Sequence, residues 1–222
     1  MKLKRAIAME FLGTAILAFA IVGSGIMAAN LTSESSLRLL INAISTAVGL
    51  AVVIRIGIKV SGSHFNPVVT LVMLFIKKID ARSSLFYISS QILGAIAGVA
   101  TANFIFDQKV LYRSMIVRSG SNLFVSEIIA TAVLLWIILR FPKRDELVAI
   151  YAPLWIFGGI LLTSSTSFAN PAITIGRVFT TSITGIAPES IFAFIVAQLI
   201  GAALGLLVAR NITNPKEALN NE

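Results

Sequence analysis

The chain of 222 residues contains no cysteine and a single histidine, His64. Without cysteine there is no disulfide and no thiolate metal site. One histidine also leaves no metal-ligand cluster. No nucleophile–base pair or phosphate-binding loop stands out, so neither an enzyme, nor a metal, nor another cofactor is expected. Charge is scarce as well: 13% of residues are Asp, Glu, Lys or Arg, against about 25% in a soluble domain. What fills the chain is apolar residues, at 57% of the total, with a mean hydropathy of +0.91. The net charge of +8 would suggest nucleic acid in a soluble protein. Here the basic residues cluster at the ends of apolar runs, which points to lipid headgroups and not to nucleic acid.

Six apolar runs are long enough to cross roughly 30 Å of hydrocarbon as helices, at about 7–29, 36–58, 83–106, 122–141, 146–165 and 188–209. The first is too long for the core of a signal peptide and is read as a retained span. Two further runs, 67–76 and 171–180, are about half that length and suit re-entrant segments. Six spans put both termini on one side. Thirteen of the 18 lysines and arginines then fall on the side of the termini, and five (Arg38, Lys109, Arg113, Arg118 and Arg177) on the other. Basic residues gather on the cytoplasmic face, so the expected location is a multi-pass protein of the bacterial cytoplasmic membrane with both termini in the cytoplasm.

The two halves of the chain match. "EFLGTAIL" (10–17) corresponds to "EIIATAVL" (127–134), "HFNPVVTL" (64–71) to "FANPAITI" (168–175), and "QILGAIAG" (91–98) to "QLIGAALG" (198–205). Each half holds three spans, an odd number, so the second copy lies upside down relative to the first. Inverted repeats with a site near the midplane are a transport architecture. The expected organisation is one transmembrane channel domain over 1–222, with repeats at about 7–106 and 122–209 and a polar tail at 211–222.

Asn is a preferred helix N-cap, and Pro suits the first helical position, where a missing N–H costs nothing. Asn66-Pro67 and Asn170-Pro171 therefore each predict the start of a short helix, followed by Val68 and Ala172 respectively. Irregular backbone survives at membrane depth only when buried in protein or facing a wet cavity. Inverted symmetry brings the two helix starts together near the membrane centre. Their partial positive charges would then repel cations and protons, while the Asn amides offer donors to a permeating solute.

These motifs, over nearly the whole chain from Glu10 to Gly205, resemble the major intrinsic protein family of aquaporins and glyceroporins. "SGSHFNPVVT" is similar to the family's first box, with Val68 where Ala is usual, and "NPA" at 170–172 to its second. The resemblance implies an all-α membrane protein with six transmembrane helices, two re-entrant half-helices, one pore per subunit and a homotetramer. It also implies a selectivity filter of four positions, which spacing from the motifs carries onto Thr46, Gly158, Ser167 and Ile173. The last is usually Arg in the family. With Ile there, and with Thr and Gly in place of bulky partners, a wider and less polar filter is expected. Arg177, one turn beyond Ile173, would sit either at the outer mouth or among headgroups. This pattern resembles the bacterial members associated with arsenic resistance, which suggests undissociated arsenite beside water and glycerol-like polyols.

Glu10 and Glu127 are acids inside spans, and such residues are functional candidates. The resemblance assigns them to holding the Asn-Pro loops. They could instead carry protons in a secondary transporter, which is the competing reading of the chain. His64 is expected at the inner mouth of the pore. Gly94, Gly98, Gly201 and Gly205 read as close helix crossings, and Trp136, Trp155, Tyr87 and Tyr151 as packing or interfacial anchors.

Overall fold

A computed structural model describes residues 2–141 and 145–212. Lys143, Arg144 and nearly all of the polar tail, including Asn214-Pro215, lie outside the described residues. The described chain is helical. Six long helices, α1 (Lys2–Leu31), α2 (Ser35–Gly57), α4 (Ala81–Ile105), α5 (Ser121–Arg140), α6 (Asp145–Leu162) and α8 (Pro188–Asn211), are each long and apolar enough to cross a membrane. Two short helices, α3 (Pro67–Phe75) and α7 (Pro171–Gly176), begin at the Asn-Pro pairs.

Most limits differ from the sequence expectation by no more than three residues, and two differ by more. The first helix starts five residues earlier, at Lys2, because Lys and Arg are good helix formers and lengthen it beyond its apolar core. The second half-helix is shorter than 171–180. Its α-helical part stops at Gly176 and continues as one 3-10 turn, Arg177–Phe179.

Packing repeats between the halves. In one half α1 lies against α4, in the other α5 lies against α8. Gly94 and Gly98 of α4 sit directly against the carbonyls of Phe11 and Ala15, and Gly201 and Gly205 of α8 against those of Ile128 and Ala132. A Cβ at any of the four would run into backbone that cannot swing aside. Small residues thus let the helix backbones approach. Gly98→Leu is expected to lower the melting temperature in detergent by several degrees, at about 1–3 kcal/mol of overpacking. Gly158→Leu should leave it nearly unchanged, since a Cβ there meets only Leu162 Cδ2, at 3.6 Å. Equal losses in the two variants would overturn this account of the crossings.

Large apolar side chains remain exposed along the outer faces, among them Ile44, Val48 and Val52 on α2 and Ile150, Leu154 and Leu161 on α6. In water these stripes would be a liability; against lipid tails they are the solvated surface. The buried polar residues gather instead inside, around the two half-helices.

Candidate functional site

Each Asn-Pro pair caps its half-helix. Asn66 Oδ1 accepts from Val68 N at 3.1 Å, and Asn170 Oδ1 from Ala172 N at 3.0 Å and Ile173 N at 3.3 Å. Pro67 and Pro171 occupy the first turns, where no N–H is needed. Each side-chain amide then crosses to the opposite loop. Asn66 Nδ2 donates to Ala169 O, and Asn170 Nδ2 to Phe65 O, both at 2.8 Å. The two helix N-termini are thereby tied to each other by a reciprocal pair of bonds.

The loops before the caps carry a rare backbone. Gly62, Ser63 and Phe65 have φ of 89°, 50° and 47°, and the matching Thr166, Ser167 and Ala169 have 61°, 49° and 47°. Left-handed non-glycine residues are strained and persist only where the surroundings over-determine them. Two buried carboxylates do this. Glu10 accepts from His64 N (3.0 Å), Phe65 N (2.7 Å), Ser61 Oγ (2.5 Å) and Gln91 Nε2 (2.7 Å). Glu127 accepts from Phe168 N (2.8 Å), Ala169 N (2.9 Å) and Gln198 Nε2 (2.7 Å). Both glutamines also reach the half-helices, Gln91 through Thr70 Oγ1 and Gln198 through Thr174 Oγ1. Their part was visible in the sequence only as the repeated Gln at the head of "QILGAIAG" and "QLIGAALG".

With the N–H groups of His64, Phe65, Phe168 and Ala169 bonded to carboxylates, and those of Ser63 and Ser167 to the hydroxyls of Ser61 and Ser165, the loop carbonyls are left over. Those of Gly62, Ser63, His64, Thr166, Ser167 and Phe168 accept no hydrogen bond from any described residue. All six residues line one cavity of about 90 Å³ that also takes in Asn66 and Asn170. That volume is several times the ~10–15 Å³ needed for a single water. Opposite this polar strip the wall is apolar, with Leu50 and Ile54 of α2 and Leu134 and Ile138 of α5. Thr46 Oγ1 and Ser167 Oγ are buried on the cavity and have no partner among the described residues.

Thr46, Ser167 and Ile173 line this cavity; Gly158 does not. On α6 the cavity side is Val148, Ala152, Ile156 and Ile160, spaced by four. Gly158 falls on the exposed stripe with Ile150, Leu154 and Leu161, because two residues from Ile156 is about 200° around a helix. A Cβ at Gly159 would lie 2.8 Å from Ser167 Oγ, so α6 meets Ser167 at a glycine, while its cavity wall carries Ile156 and Ile160.

Val68 and Ala172 are fully buried beneath the crossing and off the cavity. His64 lies on the cavity. Its Nδ1 is 3.1 Å from Thr70 Oγ1, which donates its own hydrogen to Asn66 O and accepts from Gln91. The His64 ring meets Tyr87 edge to face at 5.3 Å. Arg177 is 5% exposed and also on the cavity, far from a snorkelling position. Two groups meet beside Arg177 whose contact the sequence did not suggest, the Phe168 ring beneath it and Arg118 from the 106–120 loop, counted earlier only among the outer basic residues. Neither has a spacing signal, because both depend on how loops distant in sequence fold together.

Glu127→Ala is expected to destabilise by about 3–5 kcal/mol, since it strands two buried backbone N–H groups and the Gln198 amide. Glu127→Gln keeps one acceptor and should retain measurable solute flux. A Glu127→Ala protein that melts at the wild-type temperature would show that the loop is held by something else.

The major intrinsic protein family model matches residues 1–169. The chain is 41% identical over 209 residues to the aquaglyceroporin AqpS of Rhizobium meliloti, covering 93% of this chain and 89% of that protein. It is 31% identical over 217 residues to the glycerol uptake facilitator protein-like 6 of Lactiplantibacillus plantarum, covering 90% and 94%. In fold it is similar to the X-ray structure of the aquaglyceroporin from Plasmodium falciparum, with a TM-score of 0.79, 21% identity and coverage of 98% and 99%. The paired half-helices, the six apolar helices and these likenesses agree: the chain belongs to the major intrinsic protein family of membrane channels, as an integral multi-pass member and not an enzyme.

Proposed function

We propose that this channel passively conducts small neutral solutes: water, polyols of the glycerol class, and undissociated arsenite or related metalloids. The observation that carries the reading is the reciprocal pair of bonds from Asn66 to Ala169 O and from Asn170 to Phe65 O. It holds two helix N-termini together on the wall of one cavity, where their dipoles oppose cations and protons. The strip of uncharged carbonyls and hydroxyls suits solutes bearing O–H groups, and the apolar wall suits their carbon or metalloid side. Arsenite is neutral at physiological pH and escapes the charge penalty. The names of the two relatives, an aquaglyceroporin and a glycerol facilitator-like protein, support the solute class.

In this reading Thr46, Ser167 and Ile173 form the selectivity filter, with Ile156 and Ile160 in the position expected of Gly158. Arg177 stands at the outer mouth and His64 at the inner. Glu10 and Glu127 shape the loops, and their full sets of loop partners speak against a proton-coupled transporter. The chain forms one channel domain of two inverted repeats, works as a homotetramer, and lies in the bacterial cytoplasmic membrane with both termini in the cytoplasm, as the Lys and Arg distribution supports.

Stopped-flow measurements on liposomes with water, glycerol and arsenite gradients test this. Downhill flux of all three, indifferent to an imposed pH gradient, is expected. Accumulation against a gradient driven by protons would replace the channel with a transporter, and no flux would end both readings.

A further inference from the structure

We propose that Arg177, stacked on Phe168, is the specificity-determining residue that bars small cations from this channel. The inference rests on the channel reading above. The guanidinium carbon lies 3.4 Å from the Phe168 ring centroid, a stacking distance. Arg177 Nε donates to Thr184 O. The two terminal nitrogens have no partner among the described residues, and they belong to a side chain that lines the cavity.

No acid forms a salt bridge with it among the described residues; the Glu127 charge reaches it only at a distance, and Arg118 opposes that effect. The salt bridges among the described residues are Arg55–Glu146 and Arg113–Glu189, both at exposed sites. The carboxylate of Glu127 is taken up by Phe168 N, Ala169 N and Gln198. The second group beside the Phe168 ring is another cation, Arg118, whose guanidinium carbon is 5.1 Å from the centroid. It is tied to Gly185 O and Ile183 O. Two guanidinium groups against one more distant carboxylate leave a net positive charge beside the cavity, which repels cations more strongly there than in bulk water.

Comparison of the halves separates this charge from the packing. Phe168 meets Phe194 edge to face at 5.0 Å, as His64 meets Tyr87 at 5.3 Å in the first half. Counting from the matched Asn-Pro pairs, Ile173 corresponds to Val69 and Arg177 to Met73, and all four line the cavity. The fold therefore accepts an unbranched neutral side chain at this place in the repeat. What is particular to the second half is the charge of Arg177, set over the Phe168 ring.

The test uses the full chain in liposomes and reads methylammonium and potassium uptake beside glycerol and water permeability. Arg177→Met should raise cation uptake about tenfold or more relative to the glycerol and water permeability measured in the same vesicles. Arg177→Lys, which keeps the charge, should stay close to wild type. Adding Ile173→Arg to Arg177→Met should restore exclusion by returning a charge one turn away. A folded Arg177→Met channel as tight to cations as wild type overturns the proposal. If that variant does not fold, Phe168→Leu serves in its place: it keeps the charge and removes its platform, and a smaller leak is expected, with none counting against the proposal. A wild-type protein that passes neither water nor glycerol would defeat the channel reading instead, so the two failures are distinct.

Discussion

Replacing Asn66 and Asn170 together by Leu is expected to abolish solute flux and to destabilise the protein by on the order of 4 kcal/mol. Each Asn does two jobs. Its Oδ1 caps a half-helix and its Nδ2 satisfies a buried carbonyl of the other loop. Leu can do neither, and it puts an apolar branch where the cavity has the amides of Asn66 and Asn170. Losing one cap is worth about 1 kcal/mol, and stranding a buried carbonyl about as much again. The single variants should each show roughly half the loss. Stopped-flow water permeability and thermal melting in detergent measure the two effects. A double variant that conducts normally would remove the crossing from any account of permeation.

The second large effect is expected at Ile173. Ile173→Arg should cut glycerol permeability about tenfold relative to water, equivalent to ~1.4 kcal/mol at the barrier. Ile173 is 2% exposed and faces the cavity with Thr46 and Ser167. An Arg there is longer, adds five donors and a fixed charge, and narrows the passage for a solute with several heavy atoms more than for water. Arg177 does not already fill this space, because it is stacked away on Phe168. The ratio of the two permeabilities in the same vesicles decides, and an unchanged ratio would mean that Ile173 does not limit solute size.

The legible part of this protein was the part governed by chain-local chemistry. Long apolar runs gave the six helices, and Asn-Pro gave the two helix starts because capping needs only the residues at the cap. The phase of α6 was not legible. In a helix between lipid and a largely apolar cavity both faces are hydrophobic, so Ile150, Leu154 and Leu161 look no different from Ile156 and Ile160. Counting back from Asn170 leads to Gly158, but the cavity wall on α6 carries Ile156 and Ile160 and not Gly158. The end of α7 was hidden for a similar reason: nothing in "PAITIGRVF" announces that Gly176 sits against the Ala95 backbone, where a Cβ would be 3.0 Å from the carbonyl carbon. Arg118 reaches Phe168 across 50 residues of sequence, through loop contacts that no pattern encodes.

The acids carry a consequence for how the protein is made. Every partner of Glu10 (Ser61, His64, Phe65 and Gln91) lies within the first half of the chain. Every partner of Glu127 (Phe168, Ala169 and Gln198) lies within the second. An ionisable group left alone in hydrocarbon is costly, so a nascent first half can settle its own carboxylate before the ribosome has reached residue 127. Chains fold from the N-terminus as units emerge. The amide bonds of Asn66 and Asn170, which span the halves, form only once both re-entrant loops exist. They join two pieces that each meet the polar demand of their own buried acid from within.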